Sequence, residues 1–335
     1  MIYIETNSLD PTWNLAFEEY CLKELTQYER IMLLWQNDNA IIIGRYQNAE
    51  KEVNLKAAKA LGTQIVRRPS GGGAVFHDMG NLNYTFIYPI EGLNRLDFSV
   101  YAEPMVKALN KIGVPAEIRG RNDLLLDGKK VSGTAQRIYK GRLMHHGTLL
   151  YDSDLDSLEN VLQVDSSKIA SKGVSSIRSR VTNISEHLPV GKFENIQAFW
   201  QALLAAFAEE EPLTTFEPTP DMLAEIRTLQ KEKYQSWDWN FGRAPAFEYK
   251  NNHRFPKGNL EIQVNVTKGR IQACKLSGDF MGLVELDPLE AALQDVKYHP
   301  EDVRAVLDNI DLSHYLGGIT ADEFIQCLFE GTRLT

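Results

Sequence analysis

Three consecutive glycines interrupt a strand-like part of the chain, and they constrain its fold more than any other feature. The segment from Arg67 to Asn81 reads RRPSGGGAVFHDMGN and lies between the strand candidates 64–66 and 82–88. Glycines let a main chain approach a ligand closely and expose its amides to an anion, while the two arginines add fixed positive charge. The spacing matches neither a P-loop nor a dinucleotide fingerprint. Taken alone, the segment is either an anion-binding loop or a plain glycine-rich turn.

The overall composition is that of an ordinary globular protein. The chain has 335 residues, of which 43% are hydrophobic and 24% charged, enough for one large domain or two unequal ones. No apolar stretch approaches the roughly 18 residues of a membrane span, and Met1 to Glu5 lack the basic start of a signal peptide. A formal net charge of -9 argues against a general nucleic-acid binder. We therefore expect neither a membrane nor a nucleic acid as a partner.

The three cysteines are Cys21, Cys274 and Cys327, which lie too far apart to suggest disulfides or a metal cluster. This usage indicates the reducing cytoplasm.

The first helix can be placed from its cap and its apolar spacing. Asp10 is a suitable N-cap, and Pro11 suits the first helical position. An apolar stripe follows at helical spacing, made of Trp13, Ala16, Phe17, Tyr20 and Cys21. Cys21 is therefore expected to be a packed hydrophobic residue and not a nucleophile.

The remaining pattern mixes strands and helices without βαβ regularity, which indicates an α+β fold. Strands are predicted at 31–35 and 41–43 around the turn 37–39, at 124–126 and 130–132, and as a hairpin at 260–276. Helices are predicted at 98–112, 155–162, 194–209, 289–296, 300–310 and 320–328. Residues 236–247 are aromatic and loop-like, and the polar run 248–254 resembles a linker. We therefore divide the chain into a large domain, 1–247, and a small α+β domain, 248–335.

A second polar feature surrounds the turn Asp127-Gly128. RND precedes this turn at 121–123, and KKVSG follows it at 129–133. An aspartate and a lysine on neighbouring strands of a hairpin can pair across it, and a lysine in an interior site can contact two anions at once. The alternative is a solvated pair of lysines at an exposed turn.

The histidine pairs give weaker indications. His77 and Asp78 are adjacent, so on an extended chain their side chains point in opposite directions. Either an acid–base role or a loop-stabilising role fits them. His145 and His146 have no third ligand at a suitable spacing, which disfavours a zinc site.

Five segments, in this order and spacing, resemble the lipoate–protein ligases of the A type. They are RRPSGGGAVFHDMGN, GRNDLLLDGKKVSGTAQR, HHGTLLYDSDL, KGVSSIRSRVTN and SWDWNFGRAPAF. The similarity extends over nearly the whole chain. It implies a large mixed α/β catalytic domain of the biotin and lipoyl ligase type, followed by a small α+β accessory domain.

The resemblance also implies an activity. Ligases of this family activate free lipoate with ATP, in the presence of Mg²⁺, to lipoyl-adenylate, and then transfer the lipoyl group to a specific lysine. The implied acceptors are the lipoyl domains of 2-oxo acid dehydrogenase complexes and the glycine cleavage H protein.

Site residues follow from the same resemblance. Lys130 is expected to contact both the lipoate carboxylate and the α-phosphate, and Arg68 to hold phosphate or the acyl carbonyl. The residues implied for the adenylate are these two with Gly73, Ala74, Val75, Phe76, Asn122 and Asp123. The residues implied for lipoate are Lys130, Arg68, Ser70, Gly72 and His146. Asp123 is further a candidate to orient Lys130 or to bind a magnesium ion.

Three other residues have implied positions. Arg178 and Arg180 lie in a segment that resembles the loop closing over the adenylate. Trp35 and the inner face of the first helix are candidates for the slot that takes the apolar tail of lipoate. For Trp35, ordinary core packing is the alternative.

Three other functions compete with this one. An octanoyl or lipoyl transferase of the same superfamily would carry the acyl group on a cysteine, and no cysteine occurs between Cys21 and Cys274. A biotin–protein ligase would have an arginine- and glycine-rich loop where RRPSGGGAVFHD stands. A non-catalytic lipoate-binding module would not require both Lys130 and Arg68.

Overall fold

The computed structural model describes residues 1–47, 49–90, 98–119, 122–162, 180–241, 249–267, 269–330 and 332–333. The helices in these ranges are α1 (Pro11–Lys23), α2 (Ala49–Glu52), α3 (Leu55–Ala60), α4 (Phe98–Lys111), α5 (Leu155–Val161), α6 (Ile196–Glu210), α7 (Pro220–Leu229), α8 (Trp237–Asn240), α9 (Asp287–Ala292), α10 (Pro300–Leu307), α11 (Leu312–Leu316) and α12 (Ala321–Glu330). A 3-10 turn covers Ile184–His187, and a π-helical turn covers Gln230–Tyr234. None of the described helices is long and apolar enough to cross a membrane.

The strands form three sheets within the same ranges. They are β1 (Ile2–Glu5), β2 (Ile31–Trp35), β3 (Ala40–Ile43), β4 (Gln64–Arg67), β5 (Val75–His77), β6 (Asn81–Pro89), β7 (Glu117–Arg119), β8 (Asp123–Leu126), β9 (Lys129–Tyr139), β10 (Arg142–Leu150), β11 (Thr214–Thr215), β12 (Tyr249–Phe255), β13 (Gly258–Thr267), β14 (Arg270–Gly278) and β15 (Thr332–Arg333). Their orders are β11-β1-β2-β6-β10-β9-β8-β7, β4-β3-β5 and β14-β13-β12-β15.

The eight-stranded sheet is the scaffold of the large domain. Strand β1 pairs in parallel with β2 and β11, and the remaining neighbours are antiparallel. Alternate residues of β2 face opposite sides: Met32 and Leu34 pack with α4 and α6, whereas Leu33 and Trp35 pack with α1. This mixed sheet with helices on both faces confirms the α+β class.

The small sheet β4-β3-β5 carries the glycine-rich segment, because residues 68–74 connect β4 to β5. Strand β3 pairs in parallel with β4 and antiparallel with β5. The strands predicted at 31–35 and 41–43 both exist, but they belong to different sheets and do not pair with each other.

Helix α1 begins as predicted. The Asp10 side chain accepts a hydrogen bond from the Thr12 amide, and Pro11 occupies the first turn. Cys21 is fully buried in the core beneath this helix, as expected.

The small domain is built from β12–β15 and α9–α12 around its own apolar core. The expectation of a polar linker at 248–254 is wrong for residues 249–254, which form most of the inner strand β12. Its odd-numbered residues face the core, where the one buried polar side chain among them, Asn251, donates to the Leu328 carbonyl at 2.5 Å. Polar residues therefore occupy an inner strand because Asn251 is satisfied internally, His253 packs its ring against Phe255, and the even-numbered residues lie on the outer face. The proposed boundary at 247–248 lies outside the described residues.

Candidate active site

The β8–β9 hairpin places a lysine and an aspartate together. Lys130 Nζ lies 2.7 Å from Asp123 Oδ1, and the Lys130 side chain keeps about a third of its surface exposed. The register shifts between Leu124 and Leu125, so Gly133 stands opposite Asp123 while Lys130 stands opposite Leu125. This bulge puts Lys130 over Gly133, where a Cβ would lie 2.9 Å from the amine nitrogen. The predicted pairing across the turn is present, and Gly133 leaves room for the lysine.

The main chain of Lys130 is also paired with a later segment. Its amide donates to the Arg180 carbonyl at 2.9 Å, and its carbonyl accepts from the Thr182 amide at 3.0 Å. Arg180 is thereby held next to Lys130 by its backbone. Arg178 lies outside the described residues.

Arg68 organises the glycine-rich loop from within. Its Nε donates to Ser70 Oγ, and its Nη1 donates to the Ile42 carbonyl. Its Nη2 donates to the carbonyls of Gly71 and Gly73 at 2.7 and 2.8 Å. Four hydrogen bonds therefore bind Arg68 to the protein, which leaves one of its five N–H donors for a ligand. Burial lowers the pKa of Arg68 to about 10, so the guanidinium remains charged at neutral pH.

Arg67 has a structural role: its side chain binds the main chain of the aromatic segment near residue 240. Its Nε donates to the Trp239 carbonyl and its Nη2 to the Asn240 carbonyl, at 2.8 and 2.9 Å. The Asn240 side chain in turn accepts from the Arg67 amide. The short helix α8 therefore anchors the end of β4, immediately before Arg68.

The three glycines of the loop have different surroundings. A Cβ on Gly71 would lie 2.8 Å from the Phe280 carbonyl oxygen of the small domain. Gly72 has a φ of 91°, and its amide donates to that same oxygen at 3.1 Å. A Cβ on Gly73 would meet no described atom within 4 Å. Gly71 and Gly72 thus contact the small domain, whereas Gly73 is open to a ligand.

Charged side chains reinforce this contact between the domains. Glu285 of the small domain accepts from Arg45 at 2.9 Å and from Arg137 at 2.7 Å. Arg137 also donates to the Pro69 carbonyl at 2.7 Å, which links Glu285 to the start of the loop. Met281, from the same small-domain segment, lines the pocket described below.

A buried chain of hydrogen bonds lies behind Arg68. Ser70 Oγ, which accepts from Arg68, lies 2.6 Å from His146 Nε2. Glu18 Oε1 is an acceptor, so His146 carries a proton on Nδ1 and donates it to that oxygen at 2.7 Å, which leaves Nε2 to accept from the Ser70 hydroxyl. Thr85 donates to the same carboxylate oxygen. Sequence reasoning missed Glu18, because a glutamate directly after Phe17 is typical of the polar margin of an amphipathic helix.

These elements surround one pocket, with about 590 Å³ of free space including its open mouth. The predicted residues that line it are Arg68, Gly73, Ala74, Val75, Asn122, Lys130, His146 and Trp35. Lining residues that the sequence did not indicate include Ile42, Asn83, Gly133, Ala135, Gly147 and Met281.

Five of the predicted residues that the structure describes do not line this pocket, and one of them is Arg180, which is held beside Lys130 by its main chain. Ser70 lies behind Arg68 and His146, and Gly72 lies against the small domain. The Phe76 side chain packs in the core with Ile41 and Ile43. Asp123 stands behind Lys130 as its ion-pair partner.

Asp123 alone does not make a resident metal site. One of its oxygens binds Lys130, and no group of three or more His, Cys, Asp or Glu residues that could hold a metal occurs among the described residues. Mg²⁺ that arrives with a nucleotide takes most of its ligands from phosphates and water, and one carboxylate suffices on the protein side. Asp123 does not line the pocket itself, and its side chain, which is 38% exposed, is the candidate carboxylate for that role.

Comparison with protein families finds two matches along the chain. Residues 10–208 match the lipoyl protein ligase A/B catalytic domain, and residues 244–328 match the bacterial lipoate protein ligase C-terminus. The chain belongs to the lipoate–protein ligase family. Two relatives span its length with 40% identity: lipoate-protein ligase LplJ of Bacillus subtilis and lipoate–protein ligase 1 of Staphylococcus aureus. Each alignment covers 98% of this chain and 100% of the relative.

Solved structures of the family share the fold. The P. falciparum protein LipL1 in complex with lipoate is 27% identical, with a TM-score of 0.74 over 92% of this chain and 94% of that one. A lipoate-protein ligase A bound with ATP is 27% identical, with a TM-score of 0.59 over 72% of this chain and 97% of that one. An archaeal bipartite ligase from Thermoplasma acidophilum, described with its E2 lipoyl domain, is 29% identical, with a TM-score of 0.61 over 74% and 98% of the two chains.

Proposed function

We propose that this chain is an ATP-dependent lipoate–protein ligase that joins lipoate to AMP in the pocket and then passes the lipoyl group to an acceptor lysine. The observation that carries the proposal is the Lys130 amine, which lines the same pocket as Arg68 and the open glycine Gly73. Two anions have to meet for the first step, and these groups supply the positive charge and the space for them.

In the first step a carboxylate oxygen of lipoate attacks the α-phosphorus of ATP. A new C–O–P linkage forms, and the bond to pyrophosphate breaks with its electron pair leaving on pyrophosphate. No nucleophile from the protein is needed, so catalysis consists of alignment and charge stabilisation. Lys130 has three N–H donors, of which Asp123 uses one, so the amine can contact both reacting anions.

Arg68 acts in this step mainly through the loop that it holds. It draws the carbonyls of Gly71 and Gly73 towards its guanidinium, which keeps those oxygens away from the incoming phosphates. Its one remaining N–H points to a direct contact with the ligand as well.

In the second step the amine of an acceptor lysine attacks the acyl carbonyl of lipoyl-adenylate. An amide bond forms, AMP leaves with the electron pair of the broken C–O bond, and the amine loses a proton. We propose lipoyl domains and the glycine cleavage H protein as acceptors, supported by the archaeal relative that is described with its E2 lipoyl domain. Mg²⁺ is proposed to enter with ATP, and the three unpaired cysteines support a cytoplasmic location.

The arrangement of the cysteines disfavours an acyl-thioester transferase. None of the three, all within the described residues, lines the pocket. Burial raises the pKa of Cys21 and of Cys274, and it raises that of Cys327 to about 12, so none is poised as a thiolate.

Intact mass spectrometry of purified acceptors tests the proposed function. A lipoyl domain and an H protein are each incubated with the enzyme, free lipoate, Mg²⁺ and ATP, with parallel samples that lack ATP. We expect a lipoyl adduct that requires ATP. In a third set of samples an acylated carrier protein replaces free lipoate and ATP is omitted; an adduct there, with none from free lipoate and ATP, would instead indicate a transferase. Lipoate binding without any adduct would indicate a binding module.

A further inference from the structure

Two buried N–H groups on the wall of the pocket have no hydrogen-bond acceptor among the described residues. They are His77 Nε2 and Asn83 Nδ2, on side chains that are only 3% and 2% exposed. Both residues line the pocket. Buried polar groups in folded proteins are nearly always paired with protein or ordered water, so two such donors on one wall point to an acceptor inside the pocket, either a water or an atom of the ligand.

The hydrogen-bond partners of His77 fix which of its nitrogens carries the proton. Asn14 donates to the Asn37 side-chain oxygen at 2.9 Å, so the Asn37 amide nitrogen faces His77 Nδ1, also at 2.9 Å. Nδ1 is therefore the acceptor, and Nε2 carries the hydrogen. Burial, together with the charge of Arg68, lowers the pKa of His77 to about 3, so the ring is neutral at physiological pH. A neutral donor in a dry wall suits a neutral acceptor better than an anion.

The second donor is oriented by its neighbour on the same strand. Asn81 donates to the Asn83 side-chain oxygen at 3.0 Å, which leaves the Asn83 amide nitrogen as the free end. Asn83 thus presents a donor and not an acceptor to the pocket.

Strand pairing places these donors at a defined distance from Lys130. On the pocket face of the sheet, Trp35 stands opposite Asn83, and Asn83 stands opposite Thr148. The Thr148 hydroxyl accepts from the amide of Gly133, the residue over which Lys130 lies. Asn83 is therefore two strands away from the strand of Lys130, or about 10 Å at the usual spacing between strands.

This distance matches the substrate. In an extended lipoate, five C–C bonds of about 1.5 Å each separate the carboxyl carbon from the first ring carbon, a span of roughly 6 Å. The hydrogen bond to Lys130 at one end and the C–S bond at the other extend this to about 10 Å, which places the dithiolane ring beside Asn83. Trp35 and His77 flank the same end of the pocket, with ring centroids 6.2 Å apart. The two unpaired donors thus lie where the sulfur atoms of the ring would be.

We propose that His77 and Asn83 are specificity-determining residues that donate hydrogen bonds to the dithiolane sulfurs and so select lipoate over acids of the same shape without sulfur. The inference rests on the proposed function. A carbon ring or a plain alkyl chain would cover both donors without pairing them, and a site with unpaired buried donors rejects such analogues. Disulfide sulfurs are weak acceptors, so we expect a preference of roughly tenfold and not the much larger factors seen for hydroxyl groups.

The first test uses the unaltered enzyme. Pyrophosphate release is measured with lipoate, with 5-cyclopentylpentanoate, which keeps the ring and replaces its sulfurs by carbon, and with octanoate. We expect kcat/KM to be roughly tenfold higher for lipoate than for either analogue. Equal values for lipoate and the cyclopentyl acid would overturn this inference alone, whereas absence of pyrophosphate release with all three acids would overturn the proposed function.

Variants show which residues cause the preference for lipoate over the cyclopentyl acid. Asn83→Leu keeps the size of the side chain and removes the donor, so the preference for lipoate should fall towards unity. Thr148→Val is the matched control, because its hydroxyl lies in the same row but already has a protein partner. It should change kcat/KM for lipoate and the cyclopentyl acid by the same factor. His77→Gln retains an N–H and should keep more of the preference than His77→Leu, and circular dichroism shows which variants fold.

Discussion

The carboxylate of Glu18 holds the imidazole of His146 at 2.7 Å, and both side chains are almost completely buried. Through Ser70 this pair reaches Arg68, so a residue of the first helix helps to set the position of the glycine-rich loop. This chain of hydrogen bonds explains how α1, which is distant from the loop in sequence, contributes to the position of Arg68 in the site.

Substitution Glu18→Gln should therefore destabilise the fold and reduce lipoate activation. The amide keeps the size but brings an N–H₂ group into a site without an acceptor for it, at a cost of about 1–3 kcal/mol. Urea unfolding measures the loss, and the exposed Glu24→Gln is the control that should unfold like the unaltered protein. An unchanged unfolding midpoint for Glu18→Gln would contradict the hydrogen-bonded chain.

Lys130→Ala should lower the rate of lipoyl-adenylate formation by on the order of a hundredfold or more, because Lys130 is the one lysine that lines the pocket among the described residues. The matched control is Lys129→Ala, since Lys129 is adjacent and exposed at the turn. Pyrophosphate release with lipoate is the measurement. Similar rates for the two variants would remove Lys130 from the chemistry.

The loop glycines should separate into two classes. Gly71→Ala forces a Cβ against the Phe280 carbonyl and should loosen the small domain, which limited proteolysis detects. Gly73→Ala has room for its methyl group and should fold normally, while its KM for ATP rises because the methyl group narrows the open position. Equal protease sensitivity of Gly73→Ala and Gly71→Ala would contradict the assignment of Gly71 to the domain contact and of Gly73 to the open position.

Glu285→Gln should weaken the contact between the small domain and the large domain, because it removes the charge that pairs with Arg45 and Arg137. Burial alone would raise the pKa of this carboxyl, but Arg45 and Arg137 hold it below its usual range. A carboxylate with a lowered pKa contributes stability above its ordinary titration range and loses it as the pH falls, so acidification should mimic the substitution. Hydrogen exchange at the Gly72 amide reports the change, because this amide is bonded to Phe280. Glu301→Gln, on an exposed position of α10, is the control.

Two buried histidines should make the fold acid-sensitive. Burial lowers the pKa of His77 and of His145 to about 3, whereas both would titrate near 6.5 in the unfolded chain. Between these values the unfolded state binds more protons, so stability falls as the pH is lowered from about 6.5 towards 3. The slope is roughly 1.4 kcal/mol per pH unit for each histidine. Urea midpoints across this range measure it, and a flat profile would show that the rings are already accessible.

The sequence predicted those parts of the fold whose causes are local. The Asp10 cap, the stripe on α1, the hairpin at Asp127-Gly128 and most helices depend on spacing within a few residues, and the structure has them. The strand β12 was read as a linker because its polar residues are satisfied by contacts distant in sequence.

The site was predicted where a motif marks it and missed where only the tertiary fold does. Lys130, Arg68 and the glycine-rich loop lie in recognisable segments. Glu18, Asn83 and Met281 lie in segments with ordinary helix or strand patterns, and they reach the site through sheet register and domain packing. The bulge that turns Lys130 over Gly133 is likewise a property of strand pairing, which no single-strand pattern contains.

Met281 has a consequence for enzyme engineering. Because the small domain contributes this side chain to the pocket, the shape of the cavity can be varied without disturbing the eight-stranded sheet or its two cores. A library at position 281 would therefore explore unnatural acids from outside the catalytic domain, whereas a truncated enzyme that ends at the large domain would lack the Met281 side chain on its pocket wall.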